Sequence, residues 1–327
     1  MRRFVIMAAL ICLISGAVFS ATGTYDEKWD LSGVSKIKLS GVSGDVIIWP
    51  ADGTSGGVEL RANVRPSDSF APKVKQSSET LLLTEKFHGS SSGEVEWTIY
   101  LPKQREPFTI SINTASGNLG CSNISADISF ETPSGDIEMT EVNLAKGSRF
   151  NTASGDFILQ DMTITDGCEF STASGDFLLE NLFIKENCGF STASGDIRCS
   201  HCKCAADVDF SSASGDVIVR DSHLKGLGGF SSASGDVALY FDILPDHDLS
   251  ASSASGDVRF SVEDFGDDFT LLLIKRKGKG GISCPFEYTS EETFKDHHVY
   301  EKKIVKRGSG HPEIELRTAS GKVVVTD

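Results

Sequence analysis

Helical periodicity is missing from this 327-residue sequence. No long stretch repeats apolar residues at 3.6-residue spacing, and glycine or serine interrupts most windows, which argues against helical folds. After the first twenty residues no apolar run reaches membrane-spanning length. An excess of positive charge is also missing. Asp and Glu number 46 against 31 Lys and Arg, and the net charge of −15 argues against nucleic acid or an anionic membrane as partner. Signatures of catalysis are scarce. None of the SGD serines sits in a GxSxG elbow, and "KRKGKGG" (275–281) lacks P-loop spacing and reads as a charged hairpin tip. The seven histidines are scattered, and the adjacent pair in "DHHVY" (296–300) would point opposite ways on a strand. Hydrophobic content is ordinary at 39%, which excludes disorder as the organising principle.

The first twenty residues, "MRRFVIMAALICLISGAVFS", place two arginines before an apolar run that ends in small residues. That is the pattern of a secretory signal peptide over 1–20, with Val18 and Ser20 at positions −3 and −1 of a cut before Ala21. For a membrane anchor the run is slightly short and has no basic stop after it. Cys12 follows "ALI" and lacks the small residue that a lipoprotein signal needs there. The expected product is an exported protein of the periplasm, cell surface or extracellular space, with no transmembrane segment after cleavage.

What the sequence has in abundance is one phrase. SG[D/N] places its glycine at 44, 117, 135, 155, 175, 195, 215, 235 and 256, and "SGK" adds 321; from Gly135 to Gly235 the period is twenty residues without exception. Other positions keep step. Two residues after the glycine stand Leu119, Ile137, Phe157, Phe177, Ile197, Val217, Val237 and Val258; four after, Cys121, Met139, Leu159, Leu179, Cys199, Val219, Leu239 and Phe260. Five before stand Phe130, Phe150, Phe170, Phe190, Phe210 and Phe230. Apolar columns of one parity, separated by mostly polar or mixed residues, are strand alternation. A twenty-residue unit cannot bury its own apolar face, so the units stack as coils of a β-solenoid around a continuous core. The glycine is expected to turn a tight corner at positive φ, with its Ser and Asp neighbours bonding turn backbone.

The fold expected is all-β: a single-chain β-solenoid of about 20-residue coils with irregular capping strands at both ends. Residues 21–110 read as irregular N-terminal β coils and a cap, 111–262 as the regular SGD solenoid, and 263–327 as a C-terminal hairpin insertion followed by the last coil. The hairpin is placed at "FTLLLIKRKGKGGISCPF". Irregular ends are needed to cover the open core and block edge-to-edge growth.

In "KIKLSGVSGDVIIWP", "WTIYLPKQ", the SGD array and the closing "IELRTASGKVVV", nearly the whole mature chain resembles a bacterial β-solenoid family of unknown function, known as the "putative adhesin" domain and marked by repeated TxSGD corners. The resemblance implies a solenoid associated with the bacterial envelope, in some members with envelope-stress responses. It brings no catalytic residues. Lys322 departs from the pattern, standing where the family usually has Asp.

Five constellations remain as candidates. In "RCSHCKCAAD" (198–207), Cys199, His201, Cys202 and Cys204 resemble soft-metal ligands, but the three cysteines fall in apolar columns and His201 has the opposite parity. They read as core thiols, against a metal site or a local disulfide. Cys168 and Cys188 each lie seven residues before their glycine and would be neighbours in adjacent coils, either as a disulfide or as stacked thiols. Asp136, Asp156, Asp176, Asp196, Asp216, Asp236 and Asp257, with Asn118 at the start, form a ladder. Either each caps its own corner or calcium bridges the coils; no metal is favoured. The hydroxyl column Thr152, Thr172, Thr192, Ser212 and Ser232 reads as corner chemistry rather than a ligand face. Lastly, Ile158, Leu178, Ile218 and Ala238, broken by Arg198, form a partly apolar outward column: a docking stripe, or a face that another segment covers. No cofactor and no enzyme is expected. The role expected is a non-catalytic envelope or cell-surface scaffold that binds a macromolecule along the solenoid face. A calcium-dependent binding or envelope-stress sensing module is the alternative, and a polysaccharide-active enzyme the distant one.

Overall fold

The computed structural model describes residues 23–103 and 107–327. The signal peptide expected over 1–20, and Cys12 with it, lies outside them. The described residues form strands, turns and bends, with no helix and hence none long and apolar enough to cross a membrane.

Each regular coil carries three strands. In one coil they are Arg149–Thr152, Phe157–Gln160 and Thr163–Ile164. Phe157 and Leu159 point inward and are buried, while Ile158 between them is exposed. Two inward side chains per strand are too few to make a core, so each strand pairs in parallel with its counterpart one coil away. Phe130 pairs with Phe150, and the column continues through Phe170, Phe190, Phe210 and Phe230. A second column runs from Phe157 through Phe177, Ile197, Val217 and Val237 to Val258. The β-solenoid read from the repeat is the fold, and all of these columns are buried.

The strands that follow the SGD corner belong to one sheet of fourteen strands. The strands before the corner and the short two-residue strands make the other two walls. These walls merge at Ser125–Thr132, which runs uninterrupted and pairs with both Asn143–Leu144 and Arg149–Thr152. The cause is coil length: Gly117 and Gly135 are eighteen positions apart, against twenty for each coil from Gly135 to Gly235, so this coil lacks the third corner.

The phenylalanine column changes its geometry partway along. Phe150, Phe170 and Phe190 stack in parallel with centroids 4.9 Å apart. From Phe190 to Phe210 and Phe230 the rings meet edge to face, at 5.2 and 5.4 Å. The change falls where the neighbouring column passes from Phe157 and Phe177 to Ile197 and Val217, whose smaller side chains leave room for rings to tilt. Both arrangements suit the aromatic quadrupole.

At the N-terminal end the chain stacks out of order. Lys36–Ser40 lies between Phe108–Asn113 and Thr80–Thr84, and Asp45–Pro50 between Leu119–Ser122 and Ser92–Leu101, all in parallel. The early SGD corner is therefore a true member of the array, placed directly against the corner at Gly117. Beyond it, Gly57–Arg65 and Gly23–Asp30 add antiparallel strands, and Trp29 stacks on Trp97 over the end of the core. Glu85 closes the corner column from this side. Its carboxylate is buried and accepts the Val42 and Ser43 amides at 2.6 and 3.2 Å and the Trp97 indole N–H at 2.8 Å.

At the C-terminal end the hairpin expected around "KRKGKGG" is not one. Phe269–Arg276 and Gly281–Ser283 do not pair with each other. The first joins Glu313–Thr318 in one sheet and the second joins Lys322–Thr326 in the other. The basic glycine-rich segment thus turns a corner of one further, irregular coil, and Gly280 lies against the carbonyl of Gly321. Alternation cannot distinguish two strands that pair with each other from two that pair with a third. The hairpin of this region is Ser290–Asp296 with His298–Arg307, turning at His297 with φ 52°. The last coil in sequence, with Glu313–Thr318 and Lys322–Thr326, slides between the coil of Leu249–Ser253 and this irregular one. Phe265, Phe269 and Phe286 cluster over the core at that end, with centroids 5.0 to 5.4 Å apart.

Candidate functional site

The repeated phrase builds a corner in three steps. The Thr or Ser three residues before the glycine is buried, and its hydroxyl accepts the glycine amide; Gly175 N–H donates to Thr172 Oγ1 at 3.0 Å. The same hydroxyl donates to the glycine carbonyl of the preceding coil, as Thr172 does to Gly155 at 3.2 Å. Thr192, Ser212 and Ser232 repeat the pattern at 2.9 to 3.0 Å. These hydroxyls knit corners together beneath the surface.

The glycine is required for a reason other than the expected one. None of the SGD glycines has positive φ. A Cβ on Gly155, Gly175 or Gly195 would instead lie 1.8 Å from the carbonyl oxygen of the glycine in the preceding coil. Backbone approaches backbone there, and only hydrogen fits. Positive φ occurs at the next corner, six residues later, in Asn123, Glu141, Asp161, Asn181, His201 and Asp221. Polar residues that tolerate the left-handed region predominate in that column. The sequence carried this signal, but hydrophobic columns did not draw attention to it.

The aspartate ladder is continuous. Asp156, Asp176, Asp196, Asp216 and Asp236 each donate their backbone N–H to Oδ1 of the preceding ladder residue at 2.8 to 2.9 Å. Each carboxylate thus holds the next coil, not its own corner as the sequence reading had it. Asn118 is not the start: its amide donates to Asp45 Oδ1 at 2.9 Å, and its own Oδ1 accepts from Asp136. At the far end Asp257 Oδ1 accepts from the Lys322 amide at 2.8 Å, so the departure at Lys322 leaves the ladder bond intact. The second carboxylate oxygens differ along the column. Arg198 pairs with Asp196 at 2.6 Å, and Arg259 bridges Asp236 and Asp257 at 2.9 Å each. Asp136, Asp156 and Asp176 are exposed, and no cation of the described residues pairs with them.

Cys199, Cys202 and Cys204 are buried in the core, while His201 is exposed, 3.9 Å from Asp221. Among the described residues no group of three His, Cys, Asp or Glu side chains is arranged to hold a metal. Cys168 and Cys188 are paired neighbours on adjacent strands and stand as free, buried thiols. Burial pushes the Cys168 and Cys204 thiols up to about 12, which keeps them protonated and inert once folded.

The expected stripe is only partly present. Ile158 and Leu178 are 37% and 43% exposed, Ile218 is half-buried, and Ala238 is buried. Ala238 lies between Ile218 and Arg259 on adjacent strands, and the Arg259 guanidinium reaches back to Asp236. Ala238 is therefore not part of an exposed stripe, because alternation gives a side chain's direction but not what lies over it. Trp49, which the sequence reading passed over, is 43% exposed near one end of the same sheet. A separate groove of about 660 Å³ follows the third corner, lined by Gly147, Gly167, Gly189 and Gly229 with Glu169 and Asp209. Burial raises the Asp209 carboxyl above its ordinary value.

No curated protein matches the sequence. Among solved structures, a "putative adhesin" from Bacteroides fragilis is 15% identical, with a TM-score of 0.48 over 68% of this chain and 98% of that one. Another "putative adhesin", from Parabacteroides merdae, is 12% identical with a TM-score of 0.34 over 93% and 96%. A "putative lipid binding protein" from Parabacteroides distasonis is 12% identical with a TM-score of 0.35 over 93% and 97%. None of these likenesses is close enough to carry a residue's role across. The family match is extensive: residues 34–265 and 185–326 both align with it, taking in the whole corner array, and the chain belongs to the Toastrack DUF4097 family.

Proposed function

We propose that this protein is a non-catalytic, exported scaffold of the envelope or cell surface that binds a macromolecular partner along the outer face of its fourteen-stranded sheet. The observation that carries the reading is the exposed pair Ile158 and Leu178, beside the carboxylates of Asp136, Asp156 and Asp176 that no cation of the described residues pairs with. Apolar groups on a flat, rigid sheet lose little entropy on docking, and flanking charge supplies selectivity. Export rests on the N-terminal leader pattern. The names of the structural neighbours are those of adhesion and binding proteins rather than enzymes.

The test is a pair of variants. Ile158→Glu with Leu178→Glu should retain the wild-type melting temperature, since both side chains face outward, yet lose whatever envelope component wild type captures. Phe183→Glu, 41% exposed on a different wall, should capture it as wild type does. Equal capture by all three proteins would refute this face as the binding surface. The calcium-dependent reading keeps one observation in its favour, the free second oxygens of the same three aspartates.

A further inference from the structure

The short segment "CSHC", residues 199–202, turns the second corner of one coil. Cys199 ends its inward column on the strand Ile197–Ser200, and Cys202 opens the inward column of the short strand Lys203–Cys204. Between them His201 takes the left-handed conformation, φ 56°, which swings the chain so that both thiols meet inside the bend. The two side chains are in contact, and both are almost fully buried. Other coils place Met139 with Val142, Leu159 with Met162, and Leu179 with Leu182 at the same two positions. Here alone two sulfurs occupy the pair.

We propose that Cys199 and Cys202 are a disulfide site, closed across this corner when the chain folds in the presence of a small-molecule disulfide. Only Ser200 and His201 lie between the partners, so the bend that joins them is local and forms without waiting for distant coils. The competing partners are worse placed. Cys168 and Cys188 stand on directly paired parallel positions, which holds their Cβ atoms roughly 4.8 Å apart, beyond the 3.5–4.5 Å or so that a disulfide prefers. Cys204 pairs across the sheet with Ile184 and Leu224, neither of which carries sulfur.

The chemistry is thiol–disulfide exchange. One cysteine, as thiolate, attacks oxidised glutathione and releases one glutathione thiolate. The other cysteine then attacks the mixed disulfide and releases the second. The protein loses two protons and two electrons, and one glutathione disulfide becomes two thiols. Folding buries the product and shields it from exchange, as it shields the remaining thiols.

The experiment is to refold residues 21–327, the chain without its expected signal peptide and so without Cys12, from the reduced, denatured state in a glutathione redox buffer. Free thiols are then alkylated in denaturant without reductant, and peptides are mapped by mass spectrometry. The expected result is one protein mass lower by two hydrogens, one peptide linking Cys199 to Cys202, and alkylated Cys121, Cys168, Cys188, Cys204 and Cys284. Cys199→Val, which places at this column the residue found at Val219 one coil on, should abolish the mass loss, and Cys168→Ala should retain it. Alkylation of all these cysteines in the wild type, or a link between any other pair, would overturn the assignment.

Discussion

A hydrogen atom on Gly195 marks the tightest place in the repeat. A methyl group there would sit 1.8 Å from the Gly175 carbonyl oxygen, which is itself fixed by the Thr192 hydroxyl. Neither neighbour can yield without moving a coil. Gly195→Ala is therefore expected to cost about 3 kcal/mol or more in urea denaturation, at the severe end of overpacking. Gly120→Ala, where nothing lies within 4 Å, should stay within about 0.5 kcal/mol of wild type. A mild Gly195→Ala would show that the corners do not touch. The aspartates behave differently. Asp176 contributes an accepting oxygen to the Asp196 amide, and Asn keeps that oxygen. Neighbouring carboxylates in such a ladder repel by roughly 1 kcal/mol in water, and the substitution relieves this. Asp176→Asn should thus change stability by no more than about 0.5 kcal/mol, and chelator should leave the wild-type melting temperature unaltered. A large chelator effect, reversed by calcium but not magnesium and much reduced in the variant, would put the calcium reading first.

Single strands here have no meaning apart from their neighbours, and the end elements show it best. The sequence reading found the inward columns of the regular array, because they recur at fixed spacing. It treated "KRKGKGG" as a hairpin tip because a turn between two alternating segments looks the same whether the segments pair with each other or with a third. It also left Glu85 unremarked, since a lone Glu after "TLLLT" has no local sign of burial. In the folded protein Glu85 takes the place of the missing coil beneath the first corner. Three N–H groups depend on it. Glu85→Ala should destabilise the protein by more than the ~1–3 kcal/mol that one unsatisfied buried group costs, and Glu85→Gln, which keeps an accepting oxygen, by distinctly less. Thermal melts of the two variants side by side would check the order. Equal effects would mean that the pocket, not the acceptor, matters.

For the whole molecule, ten corner glycines from Gly44 to Gly321 stack in one column, a span of roughly 43 Å at about 4.8 Å per layer. Since each regular coil meets only its neighbours, one coil is removable. Deletion of residues 157–176 joins Asp156 to Phe177 and restores every column, with Phe150 now paired to Phe190. The shortened protein should fold cooperatively and lose about 4.8 Å of length by small-angle scattering. Deletion of ten residues instead of twenty should abolish folding, because half a coil places corner against strand. If the twenty-residue deletion also failed to fold, stability would have to reside in long-range features of the rod rather than in nearest-neighbour stacking.

The sequence alone determined the coil, the parity of each column, the core and the family, because a period of twenty repeated in register leaves one way to bury all the phenylalanines at once. It also determined that the cysteines of "RCSHCKCAAD" face inward, since they share columns with leucine and valine. Only the tertiary structure decided what is set by contacts between coils distant in sequence. It put Gly44 against Gly117, threaded the last coil beneath an earlier segment, buried Ala238 behind Arg259, and directed each aspartate to the next coil's amide. It also replaced positive φ with backbone contact as the reason for the corner glycine. Periodicity reports which way a side chain points. What it meets depends on the layer above, and for the irregular ends that layer is not the next one in the chain.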